Sequence, residues 1–450
     1  MAIGDLTHNS FVRTFDPDTG AMVERLTSPS ATCHLPRPGI RATSRDGKVL
    51  LYVGTSGEAR QLFALNLDTG VSVQLTSGKG LLEYEGVCLD PDDRHAFYVQ
   101  RDTLWRIDLT TLLLERLYTC DDGWALRWLT VSADGRYAVT TEIERTSVPA
   151  NIEQPDWSLF ELSTIAAPRS RIVLHSLGDG ASEIVLEDRC WLGRATLQPG
   201  GQGSILYCHE GAYDYIDARM WLVSADGSRL RCAREKSSGE IAIGETWLDE
   251  GRSIGYLHRV GSADPQKLGS VDWSATDLES IALAEAAGAA TVRRIDARTF
   301  EEEVLLACHP YAHLAFSPNG RYCTGDGANG PVPLHLVADA PAAGVGSDEF
   351  IYLCDLETRR EVRLCRHATS WSHRFGTTQD THPHPSFSTD GNWVYFVSDR
   401  EGHPAIYRVD VARFLRERDG GNGPVGRGEE GAPDASWGFS ATYATGESPC

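Results

Sequence analysis

The sequence has no run of about 18 apolar residues, so no segment is expected to cross a bilayer as a helix. It has eleven cysteines but no CxxC pair, and the count is odd. They read as small buried residues rather than as a disulfide framework or a thiolate zinc cage. Positive charge is also short: 42 Lys and Arg stand against 63 Asp and Glu, a formal charge of -21. That balance argues against nucleic acid or an anionic membrane as partner. An acidic small substrate stays open, because local arginines rather than net charge would hold it. The first residues, Met1-Ala2-Ile3-Gly4-Asp5, form neither a basic nor an apolar signal region, so a cytoplasmic address is expected.

What the sequence does have is a repeat. The turn Ser-x-Asp-Gly, followed by a short apolar strand, occurs at Ser44-Arg45-Asp46-Gly47, Ser132-Ala133-Asp134-Gly135, Ser317-Pro318-Asn319-Gly320 and Ser388-Thr389-Asp390-Gly391. Weaker copies lie at Pro91-Asp92-Asp93, Pro199-Gly200-Gly201 and Asp249-Glu250-Gly251. Asp-Gly and Asn-Gly suit tight hairpins because these turns need positive φ. A second hairpin follows each turn, the last of the seven expected over Ala405 to Leu415. Seven units of four strands predict an all-β fold, a seven-bladed β-propeller. Met22 to Thr27 resembles a fourth strand with no blade before it and is expected to pair with the last blade, closing the ring. The expected domain is 1–417, with an insertion at 261–290 that carries a short Ala-rich helix and with 418–450 as a flexible tail.

Counting back seven residues from each turn glycine or its equivalent lays the inner strands in register. The ring so defined is Ile40, Gly86, Trp128, Arg194, Gly244, His313 and His384. Inner strands of a propeller converge on the central channel, so His313 and His384, in adjacent blades, share a cavity. If a strand begins at His382, then His382 and His384 leave the same face of it. Gln379, in the preceding loop, completes a set of three imidazoles and one amide oxygen. Such a set suits a divalent transition metal, with the amide favouring Mn2+. The loop Cys208 to Arg219 lies on the channel rim, where its His, Tyr and Arg side chains can supply a proton acceptor and a carboxylate clamp.

Cys208-His209-Glu210-Gly211, Asp217-Ala218-Arg219-Met220-Trp221, His313-Leu314 with Gly325-Asp326-Gly327, and Thr381-His382-Pro383-His384-Pro385-Ser386-Phe387 resemble the oligogalacturonate lyases, from Phe15 to about Leu415. The resemblance implies a cytoplasmic seven-bladed propeller that carries Mn2+ and breaks short uronate oligosaccharides by β-elimination. It implies His313, Gln379, His382 and His384 as metal ligands and Arg219 as the arginine that binds substrate and stabilises the enolate. The sequence departs from the family where a base histidine is expected: Gly244 precedes Glu245-Thr246-Trp247. Arg194 likewise stands where the family usually has histidine. Three explanations follow. Another residue is the base, with His209 first, then His258, Tyr213 or Tyr215. Alternatively, Arg194 and the insertion reshape the pocket for another uronate. The third explanation is a non-catalytic, metal-stabilised propeller that binds acidic sugars or acts as a scaffold.

Overall fold

The computed structural model describes residues 2–56, 59–78, 82–145, 164–201, 203–260, 265–268, 270–327, 349–372, 375 and 381–418. Their strands form seven antiparallel sheets arranged as blades, five of four strands and two of five. The inner strands are Cys33–His34, Leu82–Leu89, Trp124–Val131, Leu192–Leu197, Glu240–Leu248, Tyr311–Phe316 and Ser386–Phe387, which begin blades 1 to 7 in that order. Inner strands of blades 2 and 3, 3 and 4, 5 and 6, and 6 and 7 contact one another around the channel. Apolar clusters fill the spaces between blades, as with Leu51, Leu62, Val87 and Tyr98 between blades 1 and 2.

The Ser-x-Asp-Gly turn works the same way in each clear copy. The serine hydroxyl donates to the acid or amide two residues on, 2.6 Å from Ser132 to Asp134 and 2.7 Å from Ser317 to Asn319. It then accepts the backbone N–H of the first residue of the next strand, Tyr137 at 3.0 Å and Tyr322 at 2.9 Å. Gly47, Gly135, Gly320 and Gly391 take φ of 69°, 69°, 68° and 74°, which explains the glycine.

The N-terminal segment spans the seam of the ring. Met22–Arg25 pairs with Ala405–Asp410 of blade 7, Val23 opposite Val409, and Val12–Phe15 adds a fifth strand outside it. Leu6–His8 instead pairs with Val71–Gln74 at the outer edge of blade 1. The expected hairpin over Ala405 to Leu415 is corrected: the strand ends at Asp410 and Val411–Arg418 is a helix. Its apolar residues Val411 and Phe414 are three apart and both buried, a helical spacing.

The insertion after the second strand of blade 5 carries the helix Leu278–Ala286, capped by Asp277 accepting from the Ser280 N–H at 2.9 Å. The expected tail lies almost wholly outside the described residues. Among those residues, no helix is long and apolar enough to cross a membrane.

Candidate metal centre

Each inner strand from blade 2 to blade 6 has a break in its pairing register, between Arg127 and Leu129 in blade 3, Gly193 and Thr196 in blade 4, Ile243 and Thr246 in blade 5, and Tyr311 and Leu314 in blade 6. The breaks coincide with the ring read from the sequence. Trp128, Arg194 and His384 have φ of 42°, 52° and 45°, beside 73° at Gly244. Left-handed backbone costs a bulky residue about 1–3 kcal/mol and concentrates at functional sites. The bulges re-aim side chains that a flat strand would send into the blade. His382 and His384 therefore do not sit on a regular pleat, as expected from the spacing. Regular pairing in blade 7 begins only at Ser386.

These local departures bring His313, His382 and His384 together, with one ring nitrogen of each within 4.8 Å of the others. The ring centroids are 4.1 Å apart for His313 and His384 and 5.3 Å for His313 and His382. Asp326, on the strand beside His313, is fully buried and fixes that histidine twice. Its carboxylate accepts from the His313 backbone N–H at 2.7 Å and pairs with Nδ1 at 2.7 Å. Nε2 is thereby left for the shared space, the arrangement in which an outer carboxylate orients a ligand. Both ring nitrogens of His382 are buried without a hydrogen-bond partner among the described residues. Burial, then the neighbouring His313, pushes His382 and His384 well below the usual histidine range, so both are neutral donors. Neutral, converging imidazoles, with the His382 nitrogens unpartnered among the described residues, fit a divalent metal. Gln379 lies outside the described residues.

Described residues near His382 are held by hydrogen bonds. Thr381 donates to the Ser372 carbonyl at 2.7 Å, and Asp399 accepts the Ser370 N–H at 2.8 Å. Trp371 packs 4.5 Å from His382.

Beside this centre lies a cluster of two arginines and two carboxylates. Arg219 immediately precedes the third strand of blade 4, Met220–Ser224, and donates to Glu245 at 3.1 and 3.3 Å and to Glu210 at 3.2 and 3.3 Å. Burial pushes the Glu210 carboxyl up, but Arg219, Arg194 and Arg37 outweigh it and hold it at about 2. Arg194 approaches Glu210 to 3.7 Å and Glu245 to 3.9 Å. Arg37, paired with Glu85, and Arg194 flank the Trp128 ring at 5.0 and 5.6 Å. Gly244 brings no side chain, and a Cβ built there would stand 3.0 Å from that of Leu314.

The four candidates for the proton acceptor separate in space. Tyr213 shares a narrow cleft with Arg219 and Ala242, and Lys236 holds its loop by donating to the Tyr213 and Ile216 carbonyls. Burial raises its phenol pKa, and Arg219 pulls it back. Tyr215 is 53% exposed on the same turn. His209 stacks on Trp221 at 4.9 Å, with burial lowering its pKa. The next residue, Glu210, takes the face toward Arg219. His258 is bound to Glu285 at 2.9 Å and lies 3.4 Å from Glu240, inside the packing of the insertion helix. Nothing described brings His209 or His258 to the three histidines.

Sequence reasoning gave no role to Asp326, Glu210, Glu245 or Arg37. The signal for Asp326 was available: a carboxylate between two glycines, in a strand expected to be buried, requires a partner.

The fold and the site together define a seven-bladed propeller with a three-histidine candidate metal centre on its channel. The family model described as oligogalacturonate lyase matches residues 1–287 and 280–414. The chain belongs to the oligogalacturonate lyase family. It is 31% identical over 414 residues to the oligogalacturonide lyase of Pectobacterium atrosepticum and to the oligogalacturonate lyase of Dickeya dadantii, in each case covering 91% of this chain and 98% of the relative. Among solved structures, an oligogalacturonate lyase in complex with manganese aligns with a TM-score of 0.77 at 30% identity, covering 91% and 98% of the two chains. One from Vibrio parahaemolyticus aligns at 0.76 and 30% identity, covering 91% and 99%.

Proposed function

We propose that this chain is a divalent-metal-dependent lyase that cleaves uronate-containing oligosaccharides by β-elimination. The carrying observation is the three-histidine centre beside an arginine–carboxylate cluster, in a chain whose structural relative is named as a manganese complex. In the reaction the C5–H bond breaks to a base, its electron pair becomes the C4=C5 double bond, and the C4–O4 bond breaks. The leaving sugar takes a proton on O4, so no water or redox partner is consumed.

His313, His382 and His384, with Gln379 proposed as the fourth ligand, would hold the ion, most simply Mn2+. When bound, it supplies Lewis-acid stabilisation of the carboxylate as enolate charge develops. The Arg219 guanidinium, ion-paired with Glu210 and Glu245, would donate to the same carboxylate. Tyr213 is proposed as the base in place of the absent histidine, supported by its place next to Arg219, whose charge favours the phenolate that such a base requires. The ten described cysteines are all free, in keeping with a reducing compartment such as the cytoplasm.

The test is incubation of protein and Mn2+ with a panel of uronate oligosaccharides while the ultraviolet absorbance of the unsaturated product is followed. Absence of signal with every uronate would sink the lyase reading. Gly244 favours a second reading, a propeller that binds acidic sugars without cleaving them. Saturable uronate binding with no product would establish it.

A further inference from the structure

Arg219 and Arg194 face the same two carboxylates, but not in the same way. Arg219 donates four hydrogen bonds to Glu210 and Glu245 and its side chain is 4% exposed. A guanidinium has five donors, so one is left for a ligand. Arg194 stands beyond hydrogen-bond reach of both, at 3.7 and 3.9 Å. Its Nε is buried without a hydrogen-bond partner among the described residues, and its side chain is 25% exposed. It is charge-balanced yet keeps its donors.

The backbone points the same way. Arg194 sits at the bulge register of its strand with φ of 52°, as His384 sits in the corresponding place at 45°. The backbone feature found at His384 in the cluster thus recurs at Arg194. The Trp128 ring, 5.6 Å from the guanidinium, restricts where it can go, and its proximity to Glu245 leans it toward the blade that carries Gly244.

We propose that Arg194 is a second arginine that binds the substrate carboxylate in this chain, alongside Arg219, with Trp128 as its support. The proposal rests on the uronate reading for the identity of the ligand. It specifies a free carboxylate rather than an ester, because an ester offers neither the charge nor the paired acceptor oxygens that a guanidinium fork matches.

The experiment is calorimetric titration of the Mn2+-loaded protein with D-galacturonate, which has no glycosidic bond at O4 to lose, and with its methyl ester. The parent should prefer the acid. Arg194→Ala should weaken acid binding about tenfold or more and leave ester binding unchanged. Arg194→Lys, verified as folded by thermal melting, should recover part of the loss. Arg194→Ala retaining the parental preference while uronate turnover persists overturns the proposal. A parent that binds neither compound and cleaves no uronate overturns the proposal together with the lyase reading.

Discussion

At the scale of residues, the site depends on side chains that touch no substrate. Asp326 holds His313 by two hydrogen bonds, so Asp326→Ala should leave the ring free to rotate and should weaken metal affinity about 10- to 100-fold, read by competition with a chelator. Because the metal would bind the native state alone, chelation should lower the melting temperature of the parent more than that of this variant. Gly244 offers a test of the base. Gly244→His meets a left-handed backbone and a close Leu314, so a stability loss of about 1–2 kcal/mol is expected in urea denaturation. Tyr213→Phe should abolish turnover, and the double variant Tyr213→Phe/Gly244→His should regain part of it. Full turnover by Tyr213→Phe would exclude the tyrosine.

At the scale of elements, the insertion helix is fastened to blade 5 by a closed circuit of charges. Arg234 pairs with Glu240 at 2.9 Å, Glu240 faces His258, His258 binds Glu285, Glu285 meets Arg293, Arg293 meets Glu302, and Glu302 returns to Arg234 at 3.3 Å. The hydrogen bond from His258 and the charge of Arg293 hold the Glu285 carboxyl at about 2, against burial. A carboxyl whose folded pKa is depressed stabilises fully above its unfolded value near 4.5 and loses that contribution as pH falls toward 2. Acidification from about pH 5 to pH 2 should therefore release the helix. Trp273, stacked on His309 at 4.0 Å, reports the event through its fluorescence.

The same scale shows what was legible in the sequence. Turn glycines and their serines mark blade positions because they are local and chemically constrained. Counting back from them found the ring, since each bulge occupies the same register. Adjacent residues such as His209 and Glu210 were harder, because a one-residue step changes the face of a strand. Only the three-dimensional alternation showed that Glu210, not His209, meets Arg219. The N-terminal strands Leu6–His8 and Val12–Phe15 are short and mostly exposed, so they carry no apolar alternation to be read. His258 stands among the base candidates because nothing in its neighbourhood of sequence reveals Glu285, brought to it by a helix 27 positions on.

At the scale of the whole molecule, the ring is fastened by its first strands. Glu24 is fully buried between Arg13, at 2.6 Å, and Arg408, at 2.8 Å. Glu24→Ala would leave Arg408 buried without its counter-charge, and a loss of about 3–5 kcal/mol is expected in equilibrium denaturation. A Glu24→Ala protein as stable as the parent would show that the seam does not depend on this pair. Glu24 and Arg408 are 384 positions apart in the chain. Met22–Arg25 thus waits for nearly 400 residues of chain before the blade 7 strand it pairs with exists. Until then Met22–Arg25 and the edge it will cover are open to pairing with other chains, a slow and exposed final step of folding.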